Sequence, residues 1–318
     1  MRVFDRAMRT LREEEHLSIL CISHQWVSWV VEGGALQSAW PWHAGVLDPQ
    51  GPIGVAERTI LLNATAIMLA VVVPVILLTL VFAWWFRSGN HRARYLPDWS
   101  YSGRIELVTW SIPALIIMFL GGIAWISAHD LDPGTPIRST VAPIEVEVVS
   151  LDWKWLFIYP DQAVAAVNRL VVPAGTPIRF RLTSASVMNS FFVPQLGSQI
   201  YTMSHMVTRL NLQAERPGTY PGLSAQFSGD GFSDMRFDVI ALPRDAFTEW
   251  LAATRAHGGM LDAASYAQLA RPGTAAATAT FGSVAPQLFE TVIMSGATAA
   301  VMPPAGDPSG ASAPPPRR

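Results

Sequence analysis

The chain has 318 residues, of which 50% are hydrophobic and only 14% are charged. Soluble domains usually carry about 25% charged residues, so this composition indicates that part of the chain meets lipid. The net charge of −2 gives no basis for nucleic-acid binding, and the single cysteine excludes an internal disulfide.

Residues 1–45 have the layout of a signal-like segment. An uncharged run from His16 to Val31 follows a stretch that contains four arginines. This order is typical of a signal peptide, although the three glutamates at 13–15 interrupt it. The run is too short to predict a membrane span of its own.

Two long uncharged runs predict a transmembrane helical hairpin within residues 46–136. The first run, Ile60 to Phe86, has 27 residues, and the second, Leu107 to Ala128, has 22. A helix needs about 20 residues to cross the hydrocarbon core of a bilayer, so both runs are long enough. The alternative is a pair of buried helices in a large soluble core.

The distribution of arginine predicts how the hairpin is oriented. The loop at 87–104 contains four arginines and one acidic residue, whereas the outer flanks of the two runs contain four acidic residues and only Arg58. An excess of arginine in a short loop marks the cytoplasmic side of the membrane. We therefore expect the chain after Asp130 to lie on the outer face, which is the periplasm in a Gram-negative host.

Residues 137–243 change to short segments in which apolar and polar residues alternate. Strands are predicted at 144–148, 177–183, 207–214 and 235–241. Several short strands in about 100 residues are typical of a Greek-key sandwich. The region therefore predicts an all-β domain.

The remaining residues divide into two parts. Residues 244–295 are predicted to form a C-terminal helical extension, because Phe247, Trp250 and Leu251 are spaced along one face of a helix from Asp245 to Ala256. Residues 296–318 are rich in Ala and Pro, and this composition predicts a disordered tail.

The sequence contains the spacing of a metal site whose ligands are replaced. This spacing lies in the stretch 222–235 and at one asparagine upstream. The spacing is that at which a dinuclear copper centre in a cupredoxin domain would have Cys, Cys, His and Met, with another His upstream. Copper in such a centre is held by thiolate, imidazole and thioether groups. We therefore expect no metal at these five positions or at Gln226 among them, and we call the six together the copper-ligand positions. They are occupied by Asn189, Ser224, Gln226, Ser228, Phe232 and Met235.

Three segments carry a family resemblance. They are the run Asp152 to Pro160 (DWKWLFIYP), the run Ser186 to Tyr201 (SVMNSFFVPQLGSQIY) and the stretch 222–235. Together they resemble subunit II of the bacterial cytochrome bo-type ubiquinol oxidases, the quinol-using branch of the haem–copper oxidase family. The similarity runs from about Leu47 to about Leu269. It implies a cupredoxin-like barrel at 137–243 and, because this branch has lost the copper centre of subunit II, no cofactor in this chain.

The resemblance also implies a function. The chain would be a non-catalytic subunit of a proton-pumping complex of the bacterial inner membrane that oxidises ubiquinol and reduces oxygen to water. The haems and copper would lie in subunit I, which is the expected partner together with other oxidase subunits and the lipid bilayer. No cytochrome c partner is expected. Trp153 and Trp155 lie where cytochrome c oxidases receive electrons, but here we expect both to pack within the domain or against subunit I.

Glu106 is the candidate functional residue of the spans. It lies in the first turn of the second span, at the predicted cytoplasmic end. Ionisable residues at membrane depth tend to face a bundle interior or a water-filled path, but the helix dipole alone also favours an anion at a helix N-terminus. The resemblance favours the functional role, because a glutamate in the matching segment, here RIELVTW, opens the family's proton path into subunit I.

Two other functions stay open at this point. A cytochrome c oxidase subunit II would need both copper-ligating cysteines, which the motif lacks. A membrane-tethered cupredoxin-like binding or assembly protein, acting outside any oxidase, would have the same spans and the same β domain. It differs from an oxidase subunit only in its partners.

Overall fold

The computed structural model describes residues 45–94, 96, 98, 100–273 and 279–299, with side chains described to 295. Residues 1–44 of the signal-like segment and 300–318 of the predicted tail therefore lie outside the described residues. The described chain divides into two units. One contains residues 45–47 and 59–124, and the other contains residues 48–58 together with the chain from 125 onward.

Two apolar helices dominate the first unit. Helix α1 spans Pro52–Trp85 and helix α2 spans Gly103–Asp130. Both are long and apolar enough to cross a membrane, and their most apolar windows are not buried within the protein. Helix α1 begins eight residues before the uncharged run at Ile60, with a proline at its first position, where the missing N–H costs no hydrogen bond.

The second unit contains a sandwich of two sheets. A seven-stranded sheet has the order β11-β12-β3-β2-β1-β5-β8, and a five-stranded sheet has the order β4-β10-β9-β6-β7. The strands are β1 Ile144–Leu151, β2 Lys154–Tyr159, β3 Val164–Val167, β4 Arg169–Pro173, β5 Pro177–Ser184, β6 Asn189–Phe192, β7 Ile200–Thr202, β8 Thr208–Gln213, β9 Gly218–Ser224, β10 Arg236–Leu242, β11 Gly259–Leu261 and β12 Thr280–Val284.

Strands β1, β2 and β3 of the seven-stranded sheet are buried on both faces. In strand β2, Trp155 and Phe157 belong to the core cluster between the two sheets, whereas Leu156 and Ile158 belong to a second cluster under the C-terminal segment. Successive side chains of a strand point to opposite faces. A strand covered on both faces is therefore apolar throughout instead of alternating, which explains the sequence WLFIY.

The C-terminal extension combines helices and strands. Helix α3 spans Arg244–His257, helix α4 spans Ala263–Leu269, and helix α5 spans Leu288–Ala299, four residues into the predicted tail. The chain between these helices forms strands β11 and β12, which are added to the seven-stranded sheet at the edge formed by β3. These strands are too short to have an alternating pattern, so they depend on the sheet edge to which they pair.

The predicted fold class is confirmed: two apolar helices precede a cupredoxin-like β domain that ends in short helices. Four predicted strands coincide with β1, β5, β8 and β10 to within three residues at each end. The helix predicted from Asp245 to Ala256 coincides with α3. Phe247 is buried in it, and Trp250 and Leu251 pack on the core as their spacing predicts.

An ion-pair network attaches helix α5 to the sheet. The Arg181 guanidinium lies 2.7 Å from Glu147 Oε1 and 2.7 Å from Glu290 Oε1, and it lies over the Phe289 ring at 5.0 Å. Burial raises the pKa of Glu147 to about 6, against the opposing effect of the Arg181 charge. The folded protein therefore binds a proton at Glu147 more tightly than the unfolded chain does.

This shift predicts a pH dependence of stability. The unfolded pKa of a glutamate is about 4.3, so the contribution of Glu147 to stability should increase as pH falls through about 6 towards about 4.3. The Glu147→Gln variant cannot titrate there. Chemical denaturation of the full chain in detergent, from about pH 7.5 to about pH 4.5, should show the parent gaining stability relative to this variant. The exposed Glu215→Gln control should follow the parent, and parallel curves for parent and Glu147→Gln would contradict the shift.

Candidate functional site

The six copper-ligand positions come together around strands β6 and β9 and the loop that follows β9. Asn189 is the first residue of β6 and Ser224 is the last residue of β9. The two strands pair antiparallel, with Phe191 opposite Ser224. The other positions lie between Gln226 and Met235, in the connection from β9 to β10.

A buried polar pair lies at the centre of this group. Asn189 is 0% exposed and Ser224 is 3% exposed. The Ser224 hydroxyl lies 3.2 Å from Asn189 Oδ1 and 3.3 Å from the Gln226 carbonyl oxygen, and Asn189 Nδ2 donates to the Val187 carbonyl at 3.2 Å. A buried carboxamide and hydroxyl stabilise the fold only when they are hydrogen-bonded, and each satisfies the other here.

Backbone hydrogen bonds fold the loop back onto the sheet. The Ser224 amide donates to the Met235 carbonyl at 3.0 Å, and the Ala225 amide donates to the Ser190 carbonyl at 3.0 Å. A 3-10 turn at Phe232–Asp234 places Met235 so that its amide donates to the Phe232 carbonyl at 3.1 Å. These hydrogen bonds therefore hold both ends of the loop against the sheet.

The side chains at the far end of the loop make weaker contacts. Met235 is 1% exposed, and its sulfur lies 3.9 Å from the Ser228 hydroxyl. The ring of Phe232 packs edge-on against Phe227, with centroids 5.7 Å apart. Phe227 itself is exposed. One contact is a weak hydrogen bond to sulfur and the other is a contact between rings, so hydrogen bonds hold this end of the loop less firmly than they hold the Asn189–Ser224 pair.

Trp153 connects the β1–β2 turn to this loop. Its indole Nε1 donates to the Ser228 carbonyl at 3.1 Å, and its own backbone has a φ of 63°. Gly229, with a φ of 104°, lies against the indole ring. The sequence gives no signal for this contact, because the hydrogen-bonded residues are 75 positions apart.

Trp155 has a different environment. It is 0% exposed and packs edge-on against Phe191, with centroids 5.4 Å apart. Its Nε1 has no hydrogen-bond partner among the described residues. Both tryptophans therefore pack within the domain, as the sequence predicts, one at the loop and the other in the core.

The donor set at the six positions does not fit a dinuclear copper centre. The six side chains carry two hydroxyls, two carboxamides, a phenyl ring and one thioether, whereas copper in such a centre needs thiolates and imidazoles. Across the described ranges, no three His, Cys, Asp or Glu side chains are grouped so that they could hold a metal ion.

Glu106 lies in the other unit. It is in the first turn of α2, its side chain is exposed, and its amide donates to the Ser102 carbonyl at 3.0 Å. The carboxylate therefore meets solvent or a partner instead of other parts of this unit. Its position in the first turn is the one that the sequence predicts.

Two family matches cover most of the β domain and the C-terminal extension. Residues 158–242 match the family described as Cytochrome C oxidase subunit II, periplasmic domain. Residues 255–295 match the COX Aromatic Rich Motif. The second match includes β11, β12 and most of α5, so the strands that the sequence pattern does not predict belong to a recurrent segment.

Three relatives cover the greater part of the chain. Cytochrome bo(3) ubiquinol oxidase subunit 2 of Pseudomonas aeruginosa is 48% identical over 78% of this chain and 75% of the relative. Ubiquinol oxidase subunit 2 of Acetobacter aceti is 48% identical over 78% of this chain and 81% of the relative. Quinol oxidase subunit 2 of Bacillus cereus is 35% identical over 72% of this chain and 79% of the relative.

The hydrogen bonds of the site predict a difference between two of its positions. Asn189→Ala leaves buried partners unsatisfied and should lower the free energy of unfolding by about 1–3 kcal/mol. Ser228→Ala removes only a weak contact to sulfur and should cost less than about 0.5 kcal/mol. Urea denaturation of the full chain in detergent, followed by tryptophan fluorescence, measures both changes. Equal losses for the two variants would show that the Asn189–Ser224 pair does not support the loop.

Proposed function

The chain belongs to the subunit II family of the bacterial ubiquinol oxidases, and we propose that it supports proton uptake and the outer face of the complex without carrying electrons. The family predicted from the three motifs is confirmed. In this proposal electrons pass from ubiquinol to the haems and copper of subunit I. This chain supplies no catalytic residue and binds no cofactor.

The observation that carries the proposal is the donor set at the six copper-ligand positions. A thiolate-bridged copper pair cannot form where Ser224 and Ser228 replace both cysteines and Asn189 replaces a histidine. A domain of this family that holds copper could receive electrons from outside the membrane. This domain has no such centre to offer, so a soluble electron carrier such as cytochrome c has no acceptor here.

The β domain is left with a structural role. Its core is closed between the two sheets, and the C-terminal extension covers the second face of the larger sheet. The loop at the copper-ligand positions is held by the Asn189–Ser224 pair and by Trp153. We propose that this closed domain caps the outer face of subunit I.

The two apolar helices support the proposal that the subunit lies in the bacterial inner membrane. Both are apolar over lengths that span a bilayer, and the loop between them contains four arginines, which favours its cytoplasmic location. The family description of residues 158–242 as a periplasmic domain agrees with this orientation. The first turn of α2, which carries Glu106, is then at the cytoplasmic surface.

Glu106 is proposed to collect protons at that surface and pass them to subunit I. Its side chain is exposed and has no ion pair among the described residues. A carboxylate that faces water at the membrane surface can take up a proton and pass it on. An exposed first-turn side chain can be truncated without opening a cavity in this chain.

A substitution series at Glu106 tests this role in the purified oxidase complex. Glu106→Ala should leave assembly and haem content intact and lower quinol-oxidase turnover per haem, because a positioned proton carrier is lost. Glu106→Asp keeps the acid with a shorter reach and should retain part of the activity.

Asp98→Ala is the matched control, because it removes an acidic side chain from the loop that precedes α2. It should turn over like the parent. If Glu106→Ala also assembles and turns over like the parent, Glu106 is only a favourable charge at a helix N-terminus and protons are taken up elsewhere.

A further inference from the structure

The turn between strands β7 and β8 carries a histidine in an unusual backbone conformation. The turn covers residues 203–206, and the Met206 amide donates to the Met203 carbonyl at 3.4 Å. His205, the third residue of the turn, has a φ of 64°. In a type II turn this position is usually occupied by glycine or asparagine, because other side chains are strained there. The turn therefore keeps an imidazole at a conformational cost.

Hydrogen bonds to a neighbouring loop hold this turn firmly, although its last two residues are exposed. The Met203 carbonyl accepts from the Ser184 amide and from the Thr183 hydroxyl, each at 3.2 Å. The Ser204 hydroxyl donates to the Ser186 carbonyl at 3.1 Å. The side chains that the turn displays are therefore pre-positioned, as a binding site requires.

The two nitrogens of the His205 ring have different roles. Nδ1 lies 3.2 Å from the Ile293 carbonyl oxygen of helix α5. A carbonyl oxygen can only accept, so Nδ1 carries the hydrogen, and Nε2 of the neutral ring presents a lone pair. Histidines that bind metals commonly have this arrangement, in which a backbone carbonyl fixes the tautomer and the second nitrogen binds the ion.

Methionines flank this imidazole on both elements. Met203 and Met206 are the two ends of the turn, and Met294 directly follows the residue whose carbonyl His205 contacts. Met206 is 52% exposed and Met294 is 70% exposed, so neither fills the core. The chain from 182 to 208 contains no carboxylate for a hard cation. Thioether and imidazole groups together favour Cu(I).

We propose that the imidazole and three thioethers of this turn and of α5 form a binding site for a soft monovalent cation, Cu(I). The ligands are His205 Nε2 and the sulfurs of Met203, Met206 and Met294. The site shares no residue with the six copper-ligand positions. Its donors are neutral and include no thiolate, so it releases the ion to a chelator, and a chelator-washed complex carries none. The ion is a bound cargo and not a cofactor of the oxidase reaction.

The simpler role for His205 is to attach α5 to the sandwich through Nδ1. That role uses one ring nitrogen and needs no sulfur. It therefore predicts that the chain does not compete for Cu(I) through these residues, and that replacing the methionines has no effect on metal binding.

Competition for Cu(I) separates the two roles. The full chain carries Cys21→Ser, which removes its only thiol, and is kept in detergent without oxygen. Cu(I) is added together with a chromophoric Cu(I) chelator, and the absorbance of the chelator complex reports how much ion the protein withdraws. The parent should withdraw one Cu(I) per chain.

Three variants remove one ligand each. His205→Asn should weaken binding at least about tenfold, since even partners outside the ligand shell change metal affinity by about 10–100-fold. Asparagine accepts a positive φ, so the turn is kept. Met206→Leu and Met294→Leu remove sulfur with little change of volume. Both should also weaken binding, and they decide the test if His205→Asn does not fold.

Two matched controls remove the same groups elsewhere. His129→Asn removes an exposed imidazole whose Nδ1 lies 2.8 Å from the Trp125 carbonyl, but which no methionine neighbours in the sequence. Met260→Leu removes a sulfur from a residue that is 57% exposed in β11. Both controls should bind Cu(I) like the parent.

The site would be overturned if the parent withdraws no Cu(I), or if the folded site variants bind like the parent. Weakening by His205→Asn but by neither methionine variant would also overturn it, because thioethers would then not hold the ion. Equal weakening in the controls would show that Cu(I) binds the chain elsewhere. The assay measures no quinol oxidation, so its failure would leave the proposed function untouched.

Discussion

Burial of both faces of strands β1, β2 and β3 in the seven-stranded sheet is the constraint on which the β domain depends. Strand β2 contributes Trp155 and Phe157 to the core between the sheets and Leu156 and Ile158 to the cluster beneath the C-terminal extension. Each face needs its own cover, because exposed apolar strand residues would favour association with other chains. The C-terminal extension is therefore an integral part of the folded β domain.

This closed frame explains how the domain keeps its shape with the copper ligands replaced. In a copper-holding domain of this kind, metal bonds would connect the strand that carries position 189 to the loop after position 224. Here a buried hydrogen bond connects Asn189 and Ser224, and Trp153 holds the loop at Ser228 from the other side. The residues at the six positions therefore supply hydrogen bonds and packing contacts, and not the thiolates and imidazoles that a copper pair needs.

Much of this architecture can be predicted from the sequence, because its signals are local. The two spans follow from runs without charge, strands β1, β5, β8 and β10 follow from alternation, and helix α3 follows from the spacing of three apolar residues. The start of α1 at Pro52 cannot be predicted in this way, because Glu57 and Arg58 lie before the uncharged run that begins at Ile60. Glu57 is accommodated by a hydrogen bond from Ser198, 141 positions away, and no local pattern carries that information.

Strands β11 and β12 and the loop between β9 and β10 also depend on contacts that no local sequence pattern encodes. Strands of three and five residues form because an edge of the sheet is available to them, and Trp153 meets Ser228 only after the sandwich has formed. The ligand replacements are visible in the sequence because the spacing of a metal site is local over residues 224–235. The contacts that these residues make depend on the tertiary structure, which the spacing does not encode.

The central claim is that this chain is a copper-free subunit of a quinol-oxidising complex. Purification of the native complex under mild conditions, with a haem spectrum, a copper-to-haem ratio and an assay of ubiquinol oxidation, tests it most directly. The chain should co-purify stoichiometrically with a haem-bearing partner that oxidises ubiquinol, with no copper beyond that of the partner's own oxygen-reducing centre. A chain that purifies without haem would instead be a tethered binding or assembly protein, and thiolate-to-copper absorption from this subunit would contradict the claim outright.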